Sequence, residues 1–102
     1  MPVSNVINVS TLLSGLRSRL MARQIHYNVY SFKNGDAVVS ATVRGRRMTM
    51  QMMYLVKLSD DKQSIEIAGF GWSAIANNED KAIARIVNDI RKYELKFNKF
   101  LN

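Results

Sequence analysis

The residues best suited to chemistry in this chain are cations and aromatics. Arg44-Gly45-Arg46-Arg47 crowds three guanidiniums onto a tight turn, and arginine's planar fork can offer two N–H groups at once to phosphate oxygens. Tyr30, Phe70 and Trp72 supply ring faces on which unpaired bases can stack. His26 is the only histidine, and a single imidazole on a strand is more often structural than catalytic. Asp60-Asp61 with Glu66 has the donor atoms for a divalent cation, although a polar turn accounts for the pair fully. GxSxG, HExxH, P-loop and dinucleotide fingerprints are absent, and Gly69-Phe70-Gly71 is too short to cradle a phosphate. The chain contains no cysteine, which excludes disulfides, thiolate metal sites and a cysteine nucleophile. The expectation is a non-enzymatic protein that needs no cofactor and no metal.

The charge is lopsided. Residues 1 to 58 hold Arg17, Arg19, Arg23, Lys33, Arg44, Arg46, Arg47 and Lys57 against the lone acid Asp36, which is the whole net charge of +7, and the remainder sums to zero. Such an imbalance favours an anionic partner through long-range attraction and counterion release. At 102 residues the chain is read as one domain, residues 1–102, large enough to bury a core.

The elements that must position these side chains follow from apolar periodicity. Ser10 or Asn8 caps a first helix over about Thr11 to Ala22, with Leu12, Leu13, Leu16 and Leu20 on its buried stripe. Gly15, Ser14 and Ser18 make it weak by propensity, so packing has to hold it. From Ile25 the period falls to two. Ile25, Tyr27 and Val29 share a face with Val39, Ala41 and Val43 if Lys33-Asn34-Gly35 is a three-residue loop with Gly35 left-handed. Gly45 suits the first centre of a second hairpin turn, which would set Val43 opposite Met48. Met50, Met52, Tyr54 and Val56 would continue the buried face, where methionine fills irregular gaps. Asp60 to Gln63 turns the chain into a fourth strand, with Ile65 and Ile67 beside Leu58 and Val56.

Asn77 to Leu101 then forms a long helix. Ala82, Ile83, Ile86, Val87, Ile90, Tyr93, Phe97, Phe100 and Leu101 make its apolar stripe, and Lys81, Arg85, Lys92, Lys96 and Lys99 its basic edge. Asn77 or Asn78 caps it, with Glu79 and Asp80 suiting the first turn. Asp89 and Glu94 lie close enough to those cations to pair locally. The predicted fold is α+β: a two-layer sandwich of an N-terminal helix, a four-stranded antiparallel meander and a long C-terminal helix, both helices on one sheet face.

The other face is left open. The registers place Tyr30, Val38, Met53 and Phe70 in one row across it, and Asn28, Ser40, Gln51 and Trp72 in the next. Aromatics among hydrogen-bonding side chains, rimmed by Arg44, Arg46 and Arg47, suit stacked bases and held phosphates. The same row equally suits self-association, since an exposed apolar patch usually marks a contact.

The helix, antiparallel strands, C-terminal helix order resembles the double-stranded-RNA-binding domain, as does Gly69-Phe70-Gly71 ahead of a helix. That family opens its last helix with a lysine cluster that clamps phosphates, whereas this helix opens Asn77-Asn78-Glu79-Asp80-Lys81, so the resemblance carries over to Lys81 alone. Four strands followed by a helix also resembles certain single-strand-binding transcription cofactors, in topology without motif.

The expected function is a small nucleic-acid-binding module. Arg44, Arg46 and Arg47 would contact phosphates, Lys57, Arg17, Arg19 and Arg23 would extend the basic surface with Lys81 and Arg85, and Tyr30, Phe70 and Trp72 would stack bases. The alternative is a protein-interaction module, such as an inhibitor or adaptor docking on a host protein, of the kind common among phage and mobile-element accessory proteins. It would form a homodimer through Tyr30, Val38, Met53 and Phe70. Met1-Pro2-Val3-Ser4-Asn5 lacks a leader pattern and no stretch suits a bilayer, so a cytoplasmic protein with no membrane partner is expected.

Overall fold

The computed structural model describes residues 6–45 and 48–100, with side chains through Lys96. Arg46, Arg47 and Leu101, and the side chains of Phe97, Lys99 and Phe100, to which the sequence assigns roles, lie outside the described residues.

Helix α1 spans Val9–Ala22. Asn8 rather than Ser10 caps it, its side-chain oxygen accepting the Thr11 N–H at 3.1 Å, which satisfies one of the first turn's orphan donors. Leu12, Leu13, Leu16 and Leu20 are buried as the periodicity predicts. Gly15 has a packing role: a Cβ there would lie 2.8 Å from Cδ1 of Ile83. Its missing side chain lets the helices approach, which compensates its poor propensity. The helix ends where Gln24 adopts a left-handed φ of 59°. The Ile25 N–H donates to the Leu20 carbonyl and the Gln24 N–H to the Met21 carbonyl, both at 2.9 Å, a Schellman closure with glutamine where glycine is usual.

Among the described residues the sheet has five antiparallel strands in sequential order: β1 His26–Ser31, β2 Ala37–Arg44, β3 Thr49–Leu58, β4 Ile65–Gly69 and β5 Trp72–Ala76. The sequence predicts four; the correction is β5. Gly69 pairs with Trp72 around a two-residue Phe70-Gly71 turn. Gly71 supplies the positive φ of 80° that such a turn requires. Trp72, Ala74 and Ala76 alternate inward on this strand, but two of the three are alanines, so the period-two signal is faint.

The first hairpin has the predicted register: Tyr27 opposes Ala41, Val29 opposes Val39, and Gly35 has φ 93°. The second differs. Val43 opposes Met50 rather than Met48, and the Gly45 N–H donates to the Met48 carbonyl at 2.8 Å. That bond continues the hairpin one step past the Arg44–Thr49 pair. A shift of two residues keeps every side chain on its predicted face but moves β3 one row along. Leu58 opposes Ile65 and Val56 opposes Ile67, as expected. In the β3–β4 turn Asp61 Oδ1 accepts from Ser59 Oγ at 2.6 Å and from the Gln63 N–H at 3.0 Å.

Helix α2 spans Glu79–Phe100. Asn78 caps it, accepting the Lys81 N–H at 2.8 Å. Ala82, Ile83, Ile86 and Ile90 are buried, and Val87 and Tyr93 are half-buried. Both helices cover one sheet face, closing a core that includes Leu16, Leu20, Val39, Met52, Tyr54, Val56, Ile65 and Ile67. Glu79 Oε1 accepts the Asn8 N–H at 2.9 Å, and Arg23 pairs with Glu94 at 2.7 Å, so α1 is tied to α2 at both ends. No helix among the described residues is long and apolar enough to cross a membrane.

Candidate nucleic-acid interface

Strand alternation turns one set of side chains away from the helices. In the observed register the central row of this open face is Tyr30, Val38, Leu55, Ala68 and Ser73. The neighbouring row holds Asn28, Ser40 and Met53, so Met53 moves out of the Tyr30 row and Leu55 takes its place. Next come His26, Thr42 and Gln51, and then Arg44 beside Thr49. Ser40 is buried within this face because Gln51 lies over it, donating through Nε2 to the Ser40 hydroxyl at 2.7 Å.

The face is therefore polar at the Arg44 end, most apolar across the Tyr30 row, and charged again in the row beyond it. Tyr30 is 55% exposed, Met53 52% and Leu55 42%. Lys57 lies one row beyond Leu55, opposite Glu66. Glu66 is the single acid among the open-face strand positions. Arg44 and Tyr30 are separated by three rows, about 20 Å at the usual rise per strand residue.

Trp72 is not on this face, which corrects its expected place beside Gln51. Pairing with Gly69 gives it the parity of Ile67 and Ala74, toward α2. A Cβ on Gly69 would lie 2.6 Å from the indole, so the bare glycine makes room for the ring. The indole N–H donates to Asp89 Oδ1 at 3.1 Å, and the Tyr54 hydroxyl donates to Asp89 Oδ2 at 2.7 Å. Arg85 lies over the indole with its guanidinium carbon 4.6 Å from the ring centroid, a cation–π contact. Burial, and then the hydrogen bond to Asp89, push the Tyr54 hydroxyl well above its ordinary value. Asp89 thus faces inward instead of pairing along its own helix, and Glu94 pairs with Arg23. No three acidic or imidazole side chains converge among the described residues.

The expected site residues fall into three regions. Arg44, Lys57 and Tyr30 share the open face, with exposed Phe70 at its rim in the β4–β5 turn. Arg17 and Arg19 are exposed on α1 and Arg23 lies at its C-terminal cap, all in the helix layer; Arg17 lines a groove with Asp36, and Arg23 is engaged with Glu94. Lys81 and Arg85 border a groove between α2 and β5. Of the four residues of the expected dimer patch, Tyr30 and Val38 share a row, Met53 lies in the next, and Phe70 lies in the β4–β5 turn.

Sequence reasoning missed the Tyr54, Trp72 and Asp89 cluster. The signal that reaches it is Gly69-Phe70-Gly71 taken as a two-residue turn between strands, which fixes the parity of Trp72 and sends it inward. Comparisons with protein-family models, with curated proteins and with solved structures found no match.

Proposed function

We propose that the chain is a small non-enzymatic nucleic-acid-binding module that works through its open sheet face. Phosphates lie against Arg44 and its neighbours Arg46 and Arg47, Lys57 holds the far end, and unpaired bases stack on Tyr30, with Phe70 at the rim. The observation that carries this reading is the presence of exposed Tyr30 with Arg44 and Lys57 on one helix-free sheet face whose strand positions carry one acid, Glu66. A flat, basic, partly aromatic sheet matches the backbone-tracking and stacking needs of an unpaired strand. The experiment is fluorescence anisotropy with labelled single- and double-stranded DNA and RNA at two salt concentrations, on wild type and on the triple variant Arg44→Ala, Arg46→Ala, Arg47→Ala. Binding that weakens steeply with salt and is lost in the triple variant supports the reading; salt-independent binding overturns it.

The second reading is a protein-interaction module, an inhibitor or adaptor that covers this face with a host protein or with a second copy. Exposed Tyr30, Met53 and Leu55 favour it, since contiguous apolar surface marks contacts. A dimer that dissociates in Met53→Glu would decide for it.

A further inference from the structure

Strand β5 is an edge of the sheet, and nothing in it guards that edge. Trp72-Ser73-Ala74-Ile75-Ala76 contains no charge and no proline, the devices that usually keep a free edge from pairing. Gly69 and Trp72 flank a two-residue turn and exchange both hydrogen bonds, so Ile67 with Ala74 and Ile65 with Ala76 are also bonded pairs. The N–H and C=O groups of Ser73 and Ile75 therefore point away from β4. Ile75 itself is 77% exposed.

Beside this edge runs a groove between β5 and α2. Its floor is shallow because Ala74 and Ala76 are small. Its wall carries Lys81, Arg85 and, further along, Lys92. The one acid there, Asp89, is occupied by Tyr54 and Trp72 from the protein interior, so the wall presents positive charge to whatever lies in the groove. The opposite edge differs: the groove between α1 and the β1–β2 turn is lined by both Arg17 and Asp36, so its charge is mixed.

We propose that the β5–α2 groove binds an extended acidic peptide segment of a partner protein, which adds to the sheet as a sixth strand on β5. The segment's backbone takes up the outward groups of Ser73 and Ile75. Alternate side chains then face opposite ways. Those on the helix side are carboxylates that reach Lys81 and Arg85, and those on the other side are apolar and lie along Ile75. Charge excludes a second copy, since pairing β5 with β5 would bring two sets of these cations together. A nucleic-acid strand is disfavoured because it lacks a peptide ladder to satisfy the edge. The outward backbone groups of β5 and the wall of Lys81 and Arg85 lie apart from Arg44 and Tyr30, while the side chains of Ser73 and Ile75 belong to the open face; the peptide test reads the edge and does not require nucleic-acid binding.

The test uses a labelled short peptide alternating glutamate and valine, with its lysine and valine counterpart as control, in fluorescence polarisation against the full chain. The glutamate peptide is expected to bind and the lysine peptide not. Amide exchange of the complex should show Ser73 and Ile75 newly protected. Ile75→Pro removes an outward N–H, a change an edge strand tolerates, and should weaken binding roughly tenfold with circular dichroism unchanged. Lys81→Glu, at an exposed position, should weaken the glutamate peptide and admit the lysine peptide, and it decides the matter if Ile75→Pro does not fold. Failure of the glutamate peptide to bind, binding indifferent to both variants, protection of Ser73 and Ile75 by an oligonucleotide instead, or a wild-type dimer dissolved by Ile75→Pro would each overturn the proposal.

Discussion

Trp72 donates its indole N–H to Asp89 Oδ1 at 3.1 Å, joining the last strand to the long helix. The second oxygen of the same carboxylate accepts from Tyr54 in the central strand, so one side chain of α2 holds two aromatic residues of the sheet. Replacing Asp89 by alanine leaves the buried Tyr54 hydroxyl without a partner, and an unsatisfied buried hydroxyl costs about 1–3 kcal/mol. Asp89→Ala is expected to lower stability by about 3 kcal/mol once the indole bond is counted. Asp89→Asn, which keeps an acceptor, should cost less. Urea unfolding followed by emission of the single tryptophan reads both the loss and the changed indole environment.

The same cluster sets a high-pH limit. Tyr54 is buried and its hydroxyl is bonded to a carboxylate, so its folded pKa lies above the ordinary 10.0. In the unfolded chain this group ionises near the ordinary value, while in the folded chain it stays protonated. Its contribution is therefore fully present below about pH 10 and is lost as pH rises beyond it. Thermal unfolding midpoints are expected to fall above that pH, with a shallower fall in Tyr54→Phe. An equal slope in the two proteins would assign the effect to other groups.

The sheet's inner face was legible because burial on one side forces alternation. Val39, Ala41, Met52, Tyr54, Val56, Ile65 and Ile67 are all buried where period two puts them. A register slip of two residues leaves that alternation intact, so nothing in the apolar pattern distinguishes Met48 from Met50 as the partner of Val43. The arginine-rich connection alone could have decided it, and its turn type is not encoded by one glycine. Strand β5 was hidden for a different reason: alanine faces the core as readily as valine on a strand close beneath a helix, yet reads as weak β signal. Missing β5 also misplaced Trp72, and with it one of three expected stacking residues. The candidate site was legible in its cations and in Tyr30, but the division of those cations among three surfaces depends on tertiary packing that local spacing does not carry.

The α1 terminus predicts a gain rather than a loss. Gln24 holds a φ of 59°, a left-handed conformation that costs a residue with a Cβ about 1–2 kcal/mol and costs glycine almost nothing. Its side chain is exposed, so removal sacrifices little packing. Gln24→Gly is expected to stabilise the protein by about 0.5–1 kcal/mol after the added freedom of the unfolded chain is deducted. A midpoint several degrees higher in a thermal melt would show it.

The two hairpin glycines make opposite demands. Gly71 has open space around its missing Cβ but a φ of 80°, so Gly71→Ala strains the backbone and leaves Trp72 alone. At Gly69 the backbone is permissive, while an added Cβ would meet the indole at 2.6 Å. Both alanine variants should lose about 1 kcal/mol or more. Tryptophan emission separates them: it should shift in Gly69→Ala, where the ring must move, and stay as in wild type in folded Gly71→Ala.

Position can be separated from total charge. Arg44 lies on the open face, whereas Arg17 and Arg19 are exposed on α1 in the helix layer, Arg17 at the β1 edge in a groove it shares with Asp36. At physiological ionic strength the screening length is about 8 Å, less than the thickness of a sheet and a helix packed about 10 Å apart. If nucleic acid lies on the open face, Arg44→Ala removes a phosphate contact and should lower the slope of log affinity against log salt by about 0.7–0.9. Arg17→Ala with Arg19→Ala removes more charge and should leave that slope close to wild type. Equal losses from the two variants would mean that the chain binds by net charge alone, with no preferred face. A larger loss from the α1 variant would move the interface to the helix side and end the case for Tyr30 as a stacking residue.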